Sequence, residues 1–101
     1  MNAKLQNQNT EFLYQAVLQL RTPEECARFF EDLCTVTELK ALSQRVVVAK
    51  MLSDKCVYSD IVAATGASTA TISRVNRSLT YGCDAYSMVF SRMDGGDQKA
   101  E

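Results

Sequence analysis

Histidine is absent from this chain of 101 residues, and its four cysteines, at positions 26, 34, 56 and 83, form no CxxC pair. A structural zinc site is therefore not expected, since such sites draw on closely spaced cysteines and histidines. No pairing of nucleophile and base and no phosphate-cradling glycine loop stands out, so catalysis is not expected and no cofactor is called for. Proline occurs once and glycine four times, against 47% hydrophobic residues. Such sparse punctuation describes a compact all-α protein of a single domain, with a modest core unless a partner adds surface. No apolar run approaches the roughly 20 residues of a membrane span, and the polar stretch Met1 to Glu11 does not read as a signal peptide. A reduced, cytoplasmic setting is the expectation, with no membrane partner. Cys26 and Cys34 fall where helices would bury apolar stripes, which leaves Cys56 and Cys83 as the thiols for any redox role.

Net charge is also nearly absent, with 11 basic and 12 acidic side chains giving −1. That argues against a generally basic nucleic-acid coat and gives weight to the distribution. Residues 1–60 carry seven basic and eight acidic side chains, and residues 84–101 carry two and four. Residues 61–83 carry two basic and none acidic. The central segment alone is positive.

That segment overlaps Tyr58-Ser-Asp-Ile-Val-Ala-Ala-Thr-Gly-Ala-Ser-Thr-Ala-Thr-Ile-Ser-Arg-Val75, whose spacing predicts a helix-turn-helix over 57–79. Ile61 falls on the inner face of the first helix, Gly66 can take the positive φ of a sharp helix exit, and Ile72 and Val75 point the second helix back at the first. Ser68, Thr69, Ala70, Thr71 and Ser73 are small and lie on or near the outer face, low enough to approach base edges and phosphates. Arg74 and Arg77 follow. The bland alternative is an ordinary helical hairpin with a glycine cap, in which Arg74 pairs with an acid such as Asp84. Against it stands local propensity: Ser, Thr and Asn are mediocre helix formers, and a purely structural face would gain stability from Glu, Lys or Ala. Such a conflict is expected where a surface is kept for binding.

Along the rest of the chain, residues 1–9 read as an Asn- and Gln-rich flexible arm, residues 10–93 as the helical domain and residues 94–101 as a polar tail. A first helix is expected from about Thr10, with Leu13, Ala16, Val17 and Leu20 as its apolar face and Phe12 widening it. Thr22-Pro-Glu-Glu25 combines an N-cap hydroxyl, a first-turn proline and a glutamate able to close a capping box. Its helix carries Cys26, Phe29, Phe30 and Leu33. A second box, Thr35-Val-Thr-Glu38, opens a third helix to about Leu52. There Leu39, Leu42, Val46 and Ala49 form one stripe, while Val47, Val48, Met51 and Leu52 cover most of the remaining circumference. A helix apolar nearly all round must be buried on several sides, and the chain has few elements to surround it, so a homodimer is expected. After Tyr81-Gly82 a last helix begins near Asp84, with Tyr86, Val89, Phe90 and Met93 as its stripe. The expected total is about six helices.

The run Glu25-Cys-Ala-Arg-Phe-Phe-Glu-Asp-Leu-Cys-Thr, then Gln44-Arg-Val-Val-Val-Ala-Lys-Met-Leu, then Thr65-Gly-Ala-Ser-Thr-Ala-Thr-Ile-Ser-Arg-Val-Asn-Arg-Ser-Leu79 resembles the YerC/YecD family of the Trp repressor superfamily. The resemblance spans roughly Leu13 to Met93, and its most specific part is Gly-Ala-Ser-Thr-Ala-Thr-Ile-Ser-Arg. It implies an intertwined homodimer presenting two helix-turn-helix units to successive major grooves of double-stranded DNA. By resemblance Ser68, Thr69 and Ala70 go to base edges, and Thr71 and Ser73 to the phosphate backbone. The same resemblance makes Thr35, Arg45, Arg74 and Ser78 a possible effector pocket, matching residues around the tryptophan of the repressor. Two departures stand out: the spacing from Arg45 to Gly66 is one residue shorter, and Val75 replaces the glycine after the arginine. A branched side chain there intrudes where an indole would lie, so tryptophan is not expected as corepressor. Arg45, among valines, is expected to find a carboxylate or phosphate, at a dimer interface or a ligand.

The sequence is thus read as a sequence-specific DNA-binding transcriptional regulator, a repressor by type, that binds a palindromic operator as a dimer. The alternative is a non-catalytic dimeric interaction module that docks a transcription component, since fold alone does not decide function. The hydroxyl-rich face favours DNA, because a protein interface would carry apolar or aromatic anchors.

Overall fold

A computed structural model describes residues 7–95, and these form six α-helices with no strand among the described residues. They are α1 (Gln8–Val17), α2 (Pro23–Leu33), α3 (Val36–Ser53), α4 (Tyr58–Thr65), α5 (Thr69–Tyr81) and α6 (Ala85–Met93). The arm expected before residue 7 and the tail expected after residue 95 lie outside the described residues. The chain divides within α3 into two units, residues 1–39 and residues 40–101.

In the first unit the helix ends follow side-chain capping. Asn7 caps α1, its Oδ1 accepting from the Thr10 N–H at 2.9 Å and the Thr10 hydroxyl at 2.8 Å. The helix therefore starts at Gln8 rather than at Thr10, because an asparagine that reads as polar arm is also a strong N-cap. Thr22 caps α2 by accepting from the Glu25 N–H at 3.1 Å, with Pro23 in the first turn. The Glu25 carboxylate accepts from the N–H of Arg21 at 2.9 Å, one residue before the cap, where a capping box would return to the cap itself. The box at α3 is reciprocal: Thr35 N–H donates to Glu38 at 2.8 Å, and Glu38 N–H donates to the Thr35 hydroxyl at 3.1 Å. Phe29 and Phe30 meet edge to face with centroids 5.6 Å apart. Even so, neither α1 nor α2 contains a buried residue.

The second unit closes a core of its own. Val48 and Ala49 of α3, Ile61 of α4, Ala67 of the turn, Ile72 and Val75 of α5 and Phe90 of α6 are all buried. Met51, Leu52, Cys56, Leu79 and Tyr86 pack around them. Ile61, Ile72 and Val48 are wholly enclosed, each contributing about 1.5–3 kcal/mol by removal from water. Lys50 ties α3 to α6, with its ammonium 5.6 Å from the Phe90 ring centroid and 3.3 Å from Asp54.

Two expected stripes are redistributed. On α3, Ala49 and Val48 face the core while Leu42, Val46 and Val47 stay exposed, so the all-round apolar surface has one side filled and one side bare. On α6 only Phe90 is buried, with Tyr86 stacked on it at 5.9 Å. Val89 and Met93 of the same stripe are exposed. The four cysteines are free thiols; Cys26, Cys34 and Cys56 are half-buried, whereas Cys83 is exposed. Among the described residues no helix is long and apolar enough to cross a membrane.

Candidate nucleic-acid interface

Helices α4 and α5 flank a three-residue turn of Gly66, Ala67 and Ser68. Gly66 adopts φ 72°, the left-handed conformation that lets a helix exit sharply, and its N–H donates to Val62 O at 2.9 Å. Thr65 wires the turn from within: its hydroxyl donates to Ile61 O at 2.7 Å and accepts from Ala67 N–H at 3.1 Å. Gln44 of α3 reaches the same turn, its side-chain amide donating to Thr65 O at 3.2 Å. The inward residues Ile61, Ile72 and Val75 are buried as the periodicity predicts, and Ala67 joins them. Sequence spacing gave no sign of the Gln44 contact, which joins positions 21 apart.

The outer face of α5 is polar and open. Thr69, Ala70, Ser73, Arg74 and Arg77 are exposed, and Ala70, Ser73, Arg74 and Arg77 line one shallow concavity along the helix. Among the described residues neither arginine has a carboxylate partner, so the pairing of Arg74 with Asp84 is not formed. No acidic side chain occupies the first turn of α5. The positive end of its dipole is therefore not offset by a carboxylate of its own first turn.

Two of the hydroxyls expected to contact DNA are already engaged. Ser68 is the N-cap of α5, its oxygen accepting from Thr71 N–H at 3.1 Å, and its hydroxyl lies 3.1 Å from that of Thr71. Thr71 is half-buried. The sequence carries the signal, because a serine directly before a helix is a preferred cap.

The candidate effector residues divide differently. Arg74 and Ser78 are one turn apart on α5, both exposed. Arg45 is exposed on α3, and its Nε donates to Ala41 O of its own helix at 3.3 Å. Among the described residues it meets no carboxylate, and exposure removes the cost that a buried charge would impose. Thr35 lies in the first unit, where its hydroxyl belongs to the capping box of α3. Val75 is only 2% exposed and forms part of the core.

Comparison with known proteins places this arrangement. The family model described as Trp repressor protein matches residues 8–94. The chain is 50% identical over 90 residues to the uncharacterized protein YerC of Bacillus subtilis (strain 168), covering 89% of this chain and 86% of that one. Among solved structures it is similar to a TrpR-like protein from Eubacterium eligens ATCC 27750, with 56% identity, a TM-score of 0.89, and coverage of 92% of this chain and 96% of the other. It is also similar to a candidate Trp repressor from Staphylococcus aureus, with 52% identity, a TM-score of 0.87 and coverage of 90% and 91%.

Proposed function

The chain belongs to the Trp repressor family, a family of DNA-binding regulators rather than enzymes, and from that premise we propose that it binds a palindromic operator as a homodimer, with α5 as the reading helix. The observation that carries this reading is the division of α5 into two faces. Ile72 and Val75 are sealed in the core, while Thr69, Ala70, Ser73, Arg74 and Arg77 are exposed in a stretch without an acid. Thr69 and Ala70 read base edges, with Ser68 at the rim beside them. Ser73, Arg74 and Arg77 hold phosphates, and Thr71 contributes through its hydroxyl, which accepts a hydrogen bond from that of Ser68.

The dimer follows from exposed apolar surface. Leu42, Val46 and Val47 of α3 and Phe12, Tyr14 and Leu18 at α1 are left in solvent, apolar surface that a second copy would cover. Each protomer offers few cations, so two reading helices are needed for useful affinity. Half-sites are expected about one helical turn apart.

The protein acts without catalysis and without tryptophan as corepressor. Val75 supports the second statement: at the position matched by glycine in the repressor this chain has a branched side chain, buried in its own core, that an indole lying against α5 would have to displace. Arg45, Arg74 and Ser78, all exposed, remain polar groups for a different effector. Isothermal titration with tryptophan is expected to show no binding at micromolar concentration, and a micromolar Kd would refute the point.

The test of the whole reading is selection from a randomised duplex pool at moderate salt, with the mass of the free protein measured in parallel. Enrichment of a palindrome by a dimer is the expected result. A folded dimer that enriches nothing would shift the assignment to an interaction module that docks a transcription component.

A further inference from the structure

We propose that Gln44 is a positioning residue for the reading helix, holding the turn of the helix-turn-helix to the central helix by its hydrogen bond to the Thr65 carbonyl. This inference rests on the DNA-binding reading of α5 and adds to it the element that sets the helix's direction.

Thr65 is the last residue of α4, so its carbonyl is one of those that a helix end leaves without a partner inside the helix. Gln44 supplies one from α3 at 3.2 Å, in a half-buried setting. The next residue, Gly66, sits at φ 72° with nothing within 4 Å of where a Cβ would stand, so the chain turns there with no side chain to brace one helix against the other. Three residues after Thr65 comes Ser68, the cap of α5, and then Thr69 and Ala70 at the start of the reading face. A small rotation at Gly66 therefore swings the reading face.

The apolar contacts of Ile61, Ile72 and Val75 hold α5 against α4, but burial is not directional and tolerates a change of angle. A hydrogen bond is directional. Thr65 fixes the turn internally, through Ile61 O and Ala67 N–H, whereas Gln44 refers it to a different element. That element also carries Leu42, Val46 and Val47, the surface assigned above to the dimer seam. Gln44 thus connects the turn to the helix from which the separation of two reading helices is set.

The experiment uses the full-length protein with Gln44→Met, which keeps length and removes the donor, and Gln44→Lys, which keeps a donor suited to a helix C-terminus. The probe is the duplex that the wild-type protein enriches from a randomised pool. Gln44→Met is expected to weaken binding about 3- to 10-fold, the range for one lost directional hydrogen bond. The dependence on salt should stay unchanged because no phosphate contact is lost. Amide exchange at Gly66 and Ala67 is expected to quicken relative to Val48 and Val75, and Gln44→Lys is expected to restore both properties. Wild-type affinity in Gln44→Met overturns the proposal. So does exchange that quickens equally at all four amides, the mark of a merely structural loss, or Gln44→Lys that binds as poorly as Gln44→Met. If the wild-type protein enriches no duplex, the DNA reading is what fails, and the exchange contrast still decides whether Gln44 holds the turn.

Discussion

Ile61 and Ile72 of the second unit are completely enclosed, whereas Phe12 and Leu18 of the first remain 77% and 72% exposed. Side-chain caps favour the first unit, where Asn7 and Thr22 cap both helices, over the second, where only Ser68 caps α5 and α4 and α6 have none, so local structure does not account for the core. The difference is in what each helix has to pack against. Helices α4 and α5 meet at a short turn and close on one face of α3, which yields a core from neighbours in sequence. Helices α1 and α2 carry comparable apolar stripes and bury no residue within the chain. Helical hydrogen bonds satisfy the backbone in both cases, but only tertiary burial stabilises short helices appreciably. The core of the helix-turn-helix is thus complete within one chain, and the first unit is proposed to need a second copy.

The sharpest way to break this comparison is to remove core from the side that has it. Ile72→Ala is expected to cost about 2–5 kcal/mol in denaturant unfolding, the range for emptying a fully buried aliphatic site. Phe12→Ala in an isolated monomer would change stability by less than about 0.5 kcal/mol. In the proposed dimer it would instead lower the melting temperature in a way that depends on protein concentration. A concentration-independent, negligible effect of Phe12→Ala would mean that no second copy covers α1.

Next in size is a charge placed on the bare side of α3. Val47 is 49% exposed in the single chain, so Val47→Glu should leave the protomer folded by circular dichroism. In the dimer the same carboxylate would lose its water, and the dissociation constant should rise roughly a hundredfold or more. Sedimentation equilibrium at micromolar concentration would register the change. An unaltered dimer mass would remove α3 from the interface.

A smaller effect separates capping from recognition within α5. Ser68→Ala removes the cap on Thr71 and should cost about 1 kcal/mol of stability. Ser68→Asp keeps a capping oxygen and suits the helix dipole, so its stability should stay near wild type. Its DNA affinity should still fall, because a carboxylate now stands beside the phosphates. Equal affinity of Ser68→Asp and wild type would place Ser68 away from DNA.

How much of this was legible in the sequence follows the same division. The three inward residues of the helix-turn-helix, the positive φ of Gly66 and the capping box at Thr35 are set by contacts within a few residues, and period and spacing report them directly. The start of α1 is less legible, because Asn7 has the character of a polar arm and acts as a cap. The facing of α3 was legible only as a sum: eight apolar residues said that it must be covered, and the partition between Val48 and Val47 needed the positions of α4 to α6. The Gln44 to Thr65 bond carried no motif at all, since a glutamine in a helix can face anywhere. The family's pocket residues were transferable as names, but the exposure of Arg45 and the sealing of Val75 depend on this chain's own packing.

The smallest effect falls on the face with no packing role. Arg77 is exposed and free of any carboxylate partner among the described residues, so Arg77→Ala should leave the unfolding midpoint within about 0.5 kcal/mol. If Arg77 holds a phosphate, its loss releases one fewer counterion per protomer, and the slope of log affinity against log salt should fall by about 1 for each protomer. The weakening should be uniform across duplex sequences, because a phosphate carries no base identity. Thr69→Ala should behave in the opposite way, changing which base is preferred while leaving the salt slope intact. The pair tests the reading face independently of the operator's sequence. A sequence-dependent loss in Arg77→Ala would move that arginine into the groove, and an unchanged slope would take it off the DNA.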